Sequence, residues 1–69
     1  MPAEWIYANG SSWVSFDPTC QTMIESLWTR GGLSNWINCQ SFEGPIFIDT
    51  TDMIILYNSF MYTIVRRFY

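Results

Sequence analysis

A chain with no histidine and no lysine has few ways to move a proton near neutral pH, and this 69-residue sequence has neither. Its chemistry-bearing side chains are Arg30, Arg66 and Arg67, the cysteines Cys20 and Cys39, and six carboxylates. Catalysis needs a nucleophile with its base, a pKa-tuned pair of carboxylates, or a metal. Asp49 and Asp52 are close in sequence but lie at a strand end, where Asp ordinarily caps or turns the chain. Two cysteines without histidine do not complete the usual three- or four-ligand zinc site. Gly31-Gly32 follows a helix, the wrong end for cradling an anion. These residues predict no enzyme, no metal centre and no cofactor. Arg66 and Arg67 read first as a solvated strand in which one Arg pairs with Glu25, Glu43 or Asp49. The chemistry that remains is recognition.

Composition narrows the partner. With 13% charged residues and a net charge of −3, the chain lacks the basic footprint that nucleic acid requires. So little surface charge predicts cover by another protein chain or a larger assembly. The longest apolar run, residues 53–57, is far short of the ~20 residues that a membrane-spanning helix needs. No basic start and no apolar signal run opens the sequence, which places it inside the cell, in the cytoplasm or nucleus. Cys20 and Cys39 are then expected as two small half-buried apolar residues in a reducing compartment, with a disulfide the reading for a secreted chain.

Sixty-nine residues allow one core and hence one domain, residues 1–69. The aromatic fraction of 19% must supply most of that core. Residues 4–9 and 13–16 alternate as strands around the turn Asn9-Gly10-Ser11-Ser12. Asp17-Pro18 is a helix start, because Asp caps the free amides and Pro suits the first helical position. The helix is expected over residues 18–30, with Cys20, Met23, Ile24, Leu27 and Trp28 as its apolar stripe and Gly31-Gly32 as its stop. Strands then follow at 35–42, 46–50, 53–57 and 61–69. The fold class is α+β: an antiparallel, curved half-barrel of about six strands with one helix packed across it. A ligand would sit on the concave side.

A resemblance adds to this reading. Trp5, then Gly10-Ser11-Ser12-Trp13-Val14 with Phe16, then Ile24-Glu25 on the helix, resemble the framework of the WWE domain, as do Phe47-Ile48-Asp49 ahead of Met53 and the ending Val65-Arg66-Arg67-Phe68-Tyr69. That likeness implies a non-catalytic interaction module of ubiquitin-ligase and ADP-ribosyltransferase proteins. Several such domains bind poly(ADP-ribose) through iso-ADP-ribose or terminal ADP-ribose. The polar pocket residues of binding members fall here on Ile6, Ile46, Ile55 and Thr63, so the pocket is expected to be degenerate. Trp13, Arg66 and Arg67 remain as candidate ligand contacts. Protein contact is therefore the leading function, with ADP-ribose reading as the alternative. For the contact surface, the last hairpin offers Ile55, Tyr57, Phe60, Met61 and Tyr62, more large apolar residues than one face of two strands can bury.

Overall fold

The computed structural model describes residues 3–68, so Tyr69, the last position of the expected closing strand, lies outside them. Seven elements follow one another: β1 (Ala3–Asn9), β2 (Ser12–Ser15), α1 (Pro18–Thr29), β3 (Ser34–Asn38), β4 (Pro45–Asp49), β5 (Ile54–Tyr57) and β6 (Phe60–Phe68). All six strands join one open antiparallel sheet in the order β2-β1-β6-β5-β4-β3, with α1 against one face. The class is α+β, as the sequence pattern predicts.

Local chemistry explains the joints. Gly10, at φ +64°, makes the β1–β2 turn. The Asp17 carboxylate accepts the Cys20 amide at 3.2 Å, and Pro18 occupies the first helical position. At the other end the Gly31 and Gly32 amides reach back to the Trp28 carbonyl and the Leu33 amide to the Leu27 carbonyl, a glycine-closed helix end. Thr50 and Thr51 then tie that end down, their hydroxyls donating to the Leu33 and Gly32 carbonyls. Asn58 and Ser59, both at positive φ, form the two-residue turn between β5 and β6.

Alternation along the strands sorts side chains onto two faces. The inner face, under α1, carries Trp5, Tyr7, Ile37, Ile46, Ile48, Ile55 and Ile64, all buried. Helix residues Cys20, Ile24 and Leu27 complete the core. The buried stripe of α1 is narrower than its apolar spacing predicts: Met23 and Trp28 stay 40% and 39% exposed. Their positions explain this, since Met23 borders a groove beside β3 and Trp28 lies over Arg66. β3 also ends at Asn38, short of the expected residue 42. Beyond it Cys39, Ser41 and Phe42 leave the ladder to bond with Cys20, cap against Asp17 and enter the core.

Candidate functional site

Helix and sheet meet most closely around Trp5. Its indole Nε1 donates to Glu25 Oε1 at 2.8 Å, and Arg66, opposite Trp5 on β6, sets a two-pronged fork on the same carboxylate. Arg66 Nε donates to Oε1 at 2.9 Å and Nη2 to Oε2 at 2.8 Å. The guanidinium is held between the rings of Trp28 and Phe68, 4.2 and 4.9 Å from their centroids. Arg66 keeps Glu25 ionised below the usual carboxylate range; partial burial opposes this and the Trp5 indole assists it. A shallow hollow of about 360 Å³ lies here, lined by Ala3, Trp5, Gln21, Thr22, Glu25 and Arg66. With the arginine and the carboxylate already satisfying each other, the hollow offers an anion no free cation.

Gln21, one helical turn earlier, completes the edge of β1. Its Oε1 accepts the Trp5 amide at 2.6 Å, and its Nε2 donates to the Trp5 carbonyl at 2.7 Å and to the Phe16 carbonyl at 3.2 Å. Sequence reasoning missed this residue, which sits polar between two apolar positions of the stripe. Its only signal was that a long amide side chain there must find partners.

On the inner face, aromatic rings pack around Phe42. Phe42, from the β3–β4 connection, packs 5.1 Å from Tyr7, 4.9 Å from Tyr57 and 6.0 Å from Tyr62, centroid to centroid, and Phe16 adds a further ring 4.8 Å from Tyr7. Burial, with Tyr62 adjacent, pushes the Tyr7 hydroxyl above its ordinary pKa. The Tyr57 hydroxyl donates to the Glu43 carbonyl at 2.8 Å.

The residues singled out from sequence do not converge. Ile46 and Ile55 are fully buried in the core. Ile6 is buried on the opposite face, in register between Ser15 and Val65, and Thr63 is exposed on that same face. Trp13 also lies on this outer face, 53% exposed beside Ala8, while Arg66 lies on the inner one. Arg67 alternates with Arg66 and pairs outward with Glu4, its Nη2 2.7 Å from Oε1, and Glu4 also accepts the Ser15 hydroxyl. Of the hairpin set, Ile55, Tyr57, Phe60 and Tyr62 share the inner face, where Ile55 is core and Tyr57 and Tyr62 pack into the aromatic cluster, and only Met61 lies on the outer face. Phe60 and Met61 are exposed, at 62% and 66%.

What sequence reasoning did not assemble is a row on the outer face. Trp36, Phe47, Leu56 and Met61 stand opposite one another across β3, β4, β5 and β6. Trp36 is 61% exposed, Leu56 40% and Phe47 half-buried, with the Trp36 and Phe47 rings 5.3 Å apart. Four strands must be in register before these residues, scattered from position 36 to position 61, become one patch.

Cys20 and Cys39 are joined in a disulfide, with Cα atoms 5.4 Å apart and both residues buried. This corrects the expectation of two free thiols: the first turn of α1 and the end of β3 bring them to bonding distance, and such bonds persist in oxidising surroundings. Beside them Asp17 accepts from the Ser41 hydroxyl at 2.8 Å and the Ser41 amide at 3.1 Å. Burial alone would raise its carboxyl; the hydrogen bonds from Ser41 and Cys20 hold it below its usual range. The Asp17 oxygen and the two sulfurs cluster closely enough to ligate an ion, but sulfurs bonded to each other are not thiolates. No helix among the described residues is long and apolar enough to cross a membrane. Comparison of the chain with models of known protein families, with characterised proteins and with solved structures finds no match.

Proposed function

We propose that this chain is a non-catalytic interaction module of the WWE type that binds another protein chain through the outer face of its sheet. The observation that carries this reading is the registered row Trp36, Phe47, Leu56 and Met61. Aromatic and Met side chains are the types enriched at interface centres, and no charge interrupts the row. Support also comes from the inner face. A diphosphate ligand needs cations and polar donors, but the positions equivalent to reading residues hold buried Ile46 and Ile55, and Arg66 is already engaged by Glu25. ADP-ribose reading would require Glu25 to release Arg66.

The test is site-specific photocrosslinking in living cells. Benzoylphenylalanine replacing Leu56 on the outer face should yield a discrete protein adduct, and the same group replacing exposed Thr22 on α1 should not. Equal adducts from both positions, or none from Leu56, would contradict the proposal.

A further inference from the structure

The outer-face row ends on an open strand edge, and the hydrogen-bond phase of that edge can be read from the sheet. The Ile64 amide donates to the Met53 carbonyl, so the main-chain groups of Ile64 and Tyr62 point toward β5. In an antiparallel ladder the direction reverses at each residue. Followed through the register, Ile55 turns toward β6, Leu56 and Phe47 toward each other, and Ile46 and Ile48 toward β3. Asn35 and Ile37 then face β4, which leaves the amides and carbonyls of Ser34, Trp36 and Asn38 directed out from the edge. An independent contact agrees: the Trp36 amide, turned away from β4, is held by the Asn35 side chain at 2.8 Å.

This edge is self-complementary. β3 has five residues, the outward groups belong to its first, third and fifth, and Trp36 is at the centre. A two-fold axis at Trp36 pairs Trp36 with Trp36 of a second copy, and Ser34 with Asn38 in both directions, with the Trp36 amide exchanging its Asn35 side-chain acceptor for the carbonyl of the second copy. β3 carries no charge, and the one charge on its neighbour β4, Asp49 opposite Ser34, is two residues from the axis, so nothing of like sign is opposed at the axis itself. Natural edge strands are commonly protected by charge or proline, and β3 has neither. The β2 edge differs, since its Ser15 hydroxyl donates to Glu4 of β1, which in turn pairs with Arg67 of β6.

We infer that the chain forms a two-fold dimer by antiparallel pairing of β3 with β3 of a second copy. The proposal names one partner for the outer face and rests on that reading. Side chains on both faces of the sheet favour it. Outside, the two Trp36 rings meet and join the rows Met61-Leu56-Phe47-Trp36 of both copies into one band. Inside, each copy has a groove of about 370 Å³ between α1 and β3, lined by Met23, Leu27 and Asn35 through Asn38, and the axis brings the two grooves together. Covering them would bury Met23, the helix residue that the monomer leaves 40% exposed. A standard interface takes about 800 Å² from each partner. That is a large share of the 4413 Å² accessible on one copy, and one short strand with Trp36 and Met23 falls at the small end of the range. The dimer is accordingly weak and exchanges with monomer.

Sedimentation velocity across a concentration series tests this. The wild-type chain should be monomeric at low micromolar concentration and dimeric toward ~1 mM, as expected for association in the micromolar range. Trp36→Glu and Trp36→Lys each place like charges at the axis and should remain monomeric throughout, while an equimolar mixture of the two should form the heterodimer. Trp36 is mostly exposed, so both variants should keep the wild-type circular dichroism spectrum. In the wild-type dimer, the Ser34, Trp36 and Asn38 amides should also exchange several-fold more slowly than in the dilute monomer. A wild-type chain that is monomeric at ~1 mM, or single variants that dimerise like wild type, would overturn the dimer. The outer face as a binding surface for other chains would then still be judged by the Leu56 crosslink.

Discussion

Trp13 and Arg66 face opposite sides of the same sheet. Trp13 lies beside Ala8 on β2, Arg66 lies opposite Trp5 on β6, and Trp5 and Ala8 are three residues apart on one strand, so their side chains diverge. One small ligand cannot stack on Trp13 and also place its phosphates on Arg66. Arg66 instead locks the helix to the inner face through Glu25, and Trp13 stands in solvent on the outer one.

The two tryptophans of the outer and inner faces should separate cleanly in stability. Trp13→Ala removes a side chain that is 53% exposed and should shift unfolding by no more than about 0.5 kcal/mol. Trp5 is buried and its indole is bonded to Glu25, so Trp5→Phe should lose about 1–3 kcal/mol through the carboxylate bond and the changed packing. Urea midpoints at constant slope measure both. Equal effects would mean that the faces are wrongly assigned.

Glu25 makes stability depend on pH. Its pKa is lower in the folded chain than in the unfolded one, because Arg66 holds the carboxylate in its ionised form. The unfolded state therefore binds more protons as the medium is acidified, and the stabilisation is complete above the unfolded carboxylate value of about 4.3 and lost as pH falls through the folded one. Asp17 adds a contribution of the same sign. Glu25→Gln should melt well below wild type at neutral pH, and the gap should narrow once the pH drops under about 4. A gap that stays constant with pH would rule out the ion pair as its source.

Reduction of the Cys20–Cys39 bond should weaken the fold substantially. The bond closes a loop with a sequence separation of 19, for which the chain-entropy relation gives about 3 kcal/mol. That is a large fraction of the stability of so small a domain. Denaturant unfolding with and without a dithiol reads it, and coincident curves would show that the cross-link contributes nothing.

Gln21 should behave as part of the sheet. Replacing it by Leu leaves the buried Trp5 amide without a partner, at about 1–3 kcal/mol, while the Trp5 carbonyl keeps the Phe16 amide. Amide exchange at Trp5 should accelerate along with the lost stability. Wild-type protection at Trp5 in Gln21→Leu would show that another group replaces it.

The contrast between these residues shows what was legible beforehand. Asp17-Pro18, Gly31-Gly32 and the alternating strands act through neighbours a few positions away, so the helix, the succession of elements along the chain and the class could be read directly, whereas the order of strands in the sheet could not. Arg66 pairing with Glu25 was one of three partners that charge alone allowed. Gln21 on Trp5, Phe42 in the aromatic cluster and Cys39 on Cys20 are contacts across 15 or more positions, and they depend on where the helix lands on the sheet. The outer row needs four strands in register, and the helix stripe overestimates burial because Trp28 serves Arg66 at the rim. Local chemistry fixed the elements; packing decided the faces.

Titration calorimetry with iso-ADP-ribose tests most directly whether the domain works by protein contact with its inner face as core. Buried Ile46 and Ile55 and the closed Arg66–Glu25 fork predict no binding tighter than the high micromolar range, a free energy no better than about −5 to −6 kcal/mol. A clean isotherm at low micromolar concentration that Trp13→Ala abolishes would contradict the account.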